Sequence, residues 1–221
     1  MPRVLLKVAS CLLVVLMLGG CAGFRGGWES VPYIGDVAPT ALPEAYQGTA
    51  VRPPLELPGL KLEVALDNRL RTYDTQVYFF ALPLSADLSN TFDKNNNPQR
   101  TRLFVYVTAH EPGIIFRPTQ AMLSVGGRQF TGVAASEFGQ WDGEGRRVTK
   151  GGTWQRRPLG AEQVLTDTGR RHYLSIDFDT PPPSPESKDI AVDLSRALIV
   201  PGHPALPLIR FAPVRWKQGY T

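Results

Sequence analysis

From Leu60 onward, apolar and polar residues alternate with a period of two, and a pattern of that kind makes flat strands with one face that needs cover. Leu60-Lys61-Leu62-Glu63-Val64-Ala65-Leu66 puts its apolar residues on one side of a strand. Gln76 to Leu82 and Arg102 to Thr108 are β-branched and aromatic, and read as more fully buried strands. Shorter strands are expected at Ile114–Phe116, Ala121–Val125 and Arg128–Val133, the last two joined by a two-residue hairpin turn at Gly126-Gly127. His172 to Phe178 alternates again, and Leu206 to Val214 closes the chain. Residues 190–198 fit a strand through Ile190, Val192 and Leu194, and also a helical face through Ile190, Leu194, Ala197 and Leu198; we favour the strand. Ala161 to Leu165 reads as a helical turn. Short strands joined by turn-rich connections, with little helix, predict an all-β fold over residues 60–221. The expected form is an antiparallel two-sheet sandwich, immunoglobulin-like, with a small β-barrel as the alternative.

Residues 21–59 have a different texture. They hold Pro32, Pro39, Pro43, Pro53, Pro54 and Pro58 and no sustained apolar period. Proline fixes φ and gives up a backbone donor, so the stretch predicts an extended tether, with Trp28, Tyr33 and Tyr46 available for partial docking on the domain. Fully extended, it would reach on the order of 100 Å.

The chain opens with Arg3 and Lys7, then an apolar run from Val8 to Leu18 that is too short for a bilayer core, which needs roughly 20 residues. A positive start, a short apolar middle and a small-residue exit describe an export signal over residues 1–20. The exit, Leu18-Gly19-Gly20-Cys21, resembles the lipobox of bacterial lipoproteins. That resemblance implies cleavage before Cys21, a diacylglycerol on its sulfur and an acyl chain such as palmitate on its new amine. Residue 22 is alanine rather than the aspartate that tends to retain enterobacterial lipoproteins at the inner membrane, so the resemblance implies the periplasmic face of the outer membrane. Two or three acyl chains anchor a protein to a bilayer without spanning it.

Cleavage also removes Arg3, Lys7 and Cys11, so the formal net charge of +4 falls by two and the pI of 9.2 overstates how basic the mature chain is. That charge and that compartment argue against a nucleic-acid partner. With Cys21 lipidated, the mature domain has no disulfide, no thiol nucleophile and no thiolate ligand.

Two loops invite chemistry. Asp93, Asn95 and Asn97 space their oxygens like the start of a calcium loop, but Pro98 and Phe104 stand where that loop needs glycine and glutamate, so a plain turn and no metal is expected. Residues 139–160 are glycine-rich and carry Trp141, Arg146, Arg147, Lys150, Trp154, Arg156 and Arg157. Indoles and guanidinium groups together suit sugars, phosphates or carboxylates, as in peptidoglycan, lipopolysaccharide or anionic lipid; the plainer alternative is a solvated hairpin with its tryptophans tucked into the sheet edge.

Enzyme signatures are missing. There is no GxSxG, SxxK or HExxH, and His110, His172 and His203 are widely separated. Asp177 and Asp179 are spaced like paired carboxylates but also fit the wet side of a strand, and Thr180 to Pro185 reads as a stiff proline connector. The leading expectation is a lipid-anchored, non-catalytic module without a cofactor that binds an envelope protein or scaffolds a complex. A glycan- or anionic-lipid-binding module built on residues 139–160 is the alternative, and a hydrolase the weakest reading.

Overall fold

A computed structural model of the chain describes residues 22–43, 52–68, 73–77, 83–87 and 99–220. Its strands are, in order, β1 (Ala22–Tyr33), β2 (Leu55–Leu57), β3 (Leu60–Asp67), β4 (Tyr73–Val77), β5 (Pro83–Asp87), β6 (Thr101–Ala109), β7 (Ile114–Phe116), β8 (Met122–Val125), β9 (Arg128–Trp141), β10 (Arg147–Val148), β11 (Thr153–Pro158), β12 (Gln163–Leu165), β13 (Arg171–Phe178), β14 (Ala191–Asp193), β15 (Leu198–Ile199) and β16 (Ile209–Tyr220). Among the described residues helix is limited to a 3-10 turn at Pro118–Gln120, and no helix is long and apolar enough to cross a membrane.

The period-two expectation holds where it is strongest. In β6 every second residue, from Thr101 to Ala109, is buried, and the residues between are half-exposed. β3 and β13 flank β6 antiparallel in unbroken register, and their inward residues Leu60, Leu62, Val64, Leu66, Leu174, Ile176 and Phe178 meet Leu103, Val105 and Val107 in one core. Leu123, Val192, Ile209 and Phe211 close that core from β8, β14 and β16. The small sheet β12-β7-β15 adds Ile114, Phe116, Leu165 and Leu198. Full burial of each such side chain contributes about 2 kcal/mol of apolar transfer.

The large sheet runs β2-β3-β6-β13-β9-β8-β14-β16-β1-β4-β5, antiparallel throughout and nearly closed into a barrel. β9 joins its two faces: Arg128–Thr131 pair with β8, while Gly132 and Ala134–Phe138 pair with β13. Val133 is the extra residue at the bend, pushed outward as in a β-bulge and 47% exposed. Gly132 is required there because a Cβ would fall 2.3 Å from the Pro118 carbonyl oxygen and 2.8 Å from Ile176 Cγ2. The barrel is drawn together elsewhere by Asn68, whose Nδ2 donates to Ser30 Oγ at 2.6 Å, and by a buried ion pair between Arg52 and Glu29 at 3.2 Å.

Several expectations are corrected. The tether begins as a strand: β1 pairs with β16 from Gly23↔Tyr220 to Tyr33↔Arg210, starting one residue after Cys21. Gly26 and Gly27 are buried in it and carry no side chain, so the backbone ladder forms without an alternating pattern to announce it. The irregular stretch follows β1 and docks partly, through Leu42 against Val31, Ala212, Val214 and Tyr33; Tyr46 lies outside the described residues. Residues 163–165 form β12 rather than a helical turn, because they pair with β7. Both signals in 190–198 are used: Ala191–Asp193 is a strand, and a single turn follows, with Leu198 N donating to Leu194 O at 2.8 Å. The last strand starts at Ile209 rather than Leu206. Of the strand expected at 76–82, Gln76 and Val77 belong to β4 and the rest lies outside the described residues. The Gly126-Gly127 hairpin is present with both φ angles positive, as a type I′ turn needs.

Candidate functional site

Strand register decides where the Trp/Arg segment sends its side chains. Residues 139–160 are largely sheet rather than loose loop: β9 turns through Asp142–Arg146 into β10, and β11 returns along the opposite edge of β9. Successive residues of a strand point to opposite faces, so the seven residues expected to share one site divide into three groups.

One group faces outward. Glu63, Tyr106, Tyr173, Phe138 and Arg156 lie directly opposite one another across β3, β6, β13, β9 and β11. Trp154, two residues from Arg156, stacks on Phe138 with ring centroids 5.2 Å apart. Tyr106 and Tyr173 meet edge-on at 5.4 Å, and the Arg171 guanidinium lies over both rings at 4.7 and 5.2 Å while donating to Glu63 at 2.6 Å. Such contacts contribute about 0.5 to 1.5 kcal/mol each. Burial pushes the Tyr106 hydroxyl pKa up and, together with nearby Arg102, lowers that of Arg156. Phe138 and Trp154 remain 41% and 54% exposed, so this row ends in an open aromatic surface beside a guanidinium.

A second group faces inward at the same end of the sheet. Glu137, opposite Leu174, and His172, opposite Val107, point into the domain where the core runs out. Arg147 ion-pairs with Glu137, and its Nη1 lies 2.6 Å from His172 Nδ1, which is 3.2 Å from Glu137 Oε1. A guanidinium only donates, so His172 Nδ1 is the acceptor in its contact with Arg147. His172 Nε2 and Arg147 Nε are buried with no hydrogen-bond partner among the described residues. Burial lowers the Arg147 pKa, opposed by the Glu137 carboxylate. Trp141 is covered here by Arg157, whose guanidinium sits 4.5 Å from the ring centre and donates to Gly145 O at 3.0 Å.

The third group is at the hairpin tip. Arg146 bonds Asp142 at 2.9 Å and Glu144 at 2.8 Å, and Lys150 is exposed. The Arg146 and Glu144 amides donate to Asp142 Oδ1, and with the Arg146 side chain they hold the Asp142 carboxyl below the usual range.

The remaining candidates do not converge. Asp177 is held by Arg102 through bonds of 2.6 and 2.9 Å, while Asp179 lies beyond the strand end, 4.0 Å from Arg100. His110 is exposed, His172 is in the buried cluster, and His203 bonds Glu111 at 3.1 Å. The calcium-like segment 93–98 and Cys21 with Leu18, Gly19 and Gly20 lie outside the described residues. Among the described residues there is no group of three metal-ligating side chains. Sequence reasoning missed Phe138, Tyr106, Tyr173 and Arg171 because their roles depend on cross-strand register, which the sequence alone does not fix. Comparison with protein-family models, characterised proteins and solved structures finds no match to this chain.

Proposed function

We propose that the chain is a lipid-anchored envelope protein whose β domain is a non-catalytic module that binds an envelope protein through the outward aromatic row. The observation that carries this reading is the stacked Phe138–Trp154 pair, left exposed between Tyr173 and Arg156 at one end of a rigid sheet. Tryptophan, tyrosine and arginine are the residues that dominate binding energy at protein interfaces. The export segment and the Leu18-Gly19-Gly20-Cys21 string support the anchor, at the periplasmic face of the outer membrane. β1 begins at Ala22, so a lipid on Cys21 would adjoin the sheet without a spacer.

A photo-crosslinking residue at position 154, in the acylated protein in its native envelope, tests this reading. One defined adduct is expected there and none from Val37, which is 86% exposed outside the row. Equal adducts at both positions, or none at 154, would overturn it.

A glycan or anionic-lipid ligand is the second reading, and the free indole face of Trp154 beside Arg156 favours it. Retention on peptidoglycan or lipopolysaccharide, lost in Trp154→Ala and kept in Trp141→Ala, would replace the protein partner with this one. Trp141 serves as the control because its ring is occupied by Arg157.

A further inference from the structure

An open cavity lies away from the aromatic row, where the small sheet meets the turns after β14 and β15. It measures about 580 Å³, within the range of small-molecule sites. Its apolar wall is Ile199, Val200, Pro204 and Ala205, and its polar groups are Arg117, Arg196, His203, Gln120 and Ser195.

These walls are fixed rather than incidental. Arg117 follows β7 directly, and its amide donates to Ala197 O at 2.7 Å, tying it to the turn that carries Arg196. Its side chain is oriented by Glu162, which accepts from Nε at 2.7 Å and leaves the Nη groups uncommitted. Val200-Pro201-Gly202-His203 forms a turn closed by His203 N donating to Val200 O at 3.2 Å, with Gly202 at φ 78° where a type II turn needs it. The same turn packs on Gly59, whose φ is also 78°; a Cβ there would sit 2.5 Å from Val200 Cγ1 and 3.0 Å from the His203 ring. The Glu111 carboxylate accepts from His203 Nε2 at the rim, at 3.1 Å. Arg196 is exposed and has no carboxylate partner among the described residues. One unpaired guanidinium, a second with free Nη groups, neutral donors and an apolar wall together select an anion joined to an apolar body.

We infer that this cavity binds a small organic anion, a phosphate or carboxylate on an apolar body, with Arg196 and Arg117 on the anionic group and Ile199, Val200 and Ala205 against the rest. The source is either a free ester or a lipid headgroup, which share this chemistry. Calorimetric titration of the full chain with phenyl phosphate and with monomeric dihexanoyl phosphatidate tests it, with inorganic phosphate as the control. Saturable binding of at least one organic probe is expected, tighter than inorganic phosphate, and the tighter probe names the source. Arg196→Ala should weaken it about tenfold or more, the size expected for losing a charge-assisted contact, with an unchanged circular dichroism spectrum. Gly59→Ala, which displaces the wall and leaves both arginines, should also weaken the organic probes while sparing the contribution that inorganic phosphate reports. Absence of binding, binding indifferent to Arg196→Ala, or equal affinity for inorganic phosphate would overturn the inference.

Discussion

The two ends of β13 face the same interior and do different work. At Leu174, Ile176 and Phe178 the inward side chains meet other apolar chains from β3 and β6. One step further along the same pleat, His172 points the same way but meets Glu137 and Arg147. The apolar end holds by area removed from water, which tolerates small shifts. The charged end holds only while every partner is present, because a buried charge without its partner is costly. The outer face repeats the division: beside the charged end it carries the aromatic row, so the exposed Trp154 stands on a foundation of ion pairs.

The largest expected effect lies in the apolar end. Phe178→Ala should cost about 4 kcal/mol in urea unfolding, since it removes a fully buried ring. A cost under about 1 kcal/mol would mean that this end is not the stabilising core. Next comes Glu137→Ala, which leaves Arg147 buried beside His172 and should cost about 3 kcal/mol; joint replacement by Glu137→Leu and Arg147→Met should recover most of it. A double variant as unstable as the single one would dissolve the distinction between the two ends. Trp154→Ala should cost about 1 kcal/mol or less, the worth of one stacked pair on a half-exposed surface. The smallest effect is at the hairpin tip. Asp142 has its pKa depressed in the folded state, so its contribution is present above the ordinary aspartate range and lost as pH falls through the folded value. Protection factors of the Glu144 and Arg146 amides, taken against the intrinsic exchange rate at each pH, should therefore fall on acidification, and Asp142→Asn should remove that pH dependence.

The same contrast explains what could be read in advance. Leu60–Leu66, Arg102–Thr108 and His172–Phe178 announced themselves because one buried face and one wet face force a period of two, and the all-β antiparallel fold followed from them. β1 did not, since Gly26, Gly27 and Pro32 carry no alternation and its pairing with β16 spans nearly the whole chain. Residues 163–165 looked helical for want of any local cue to their partner β7. The Trp/Arg segment stands out by its composition, but that composition holds no information on which face each residue takes. Register alone separates Trp154 and Arg156 from Trp141, Arg147 and Arg157.

The proposed lipid at Cys21 would hold β1, which begins at Ala22, and through it the whole sheet, against a membrane. Intact-mass spectrometry of the protein purified from its native host measures this in one step. The predicted species lacks residues 1–20 and carries a diacylglycerol and an amide-linked acyl chain at its first residue. A chain that retains residues 1–20, or one with an unmodified thiol at Cys21, would contradict it.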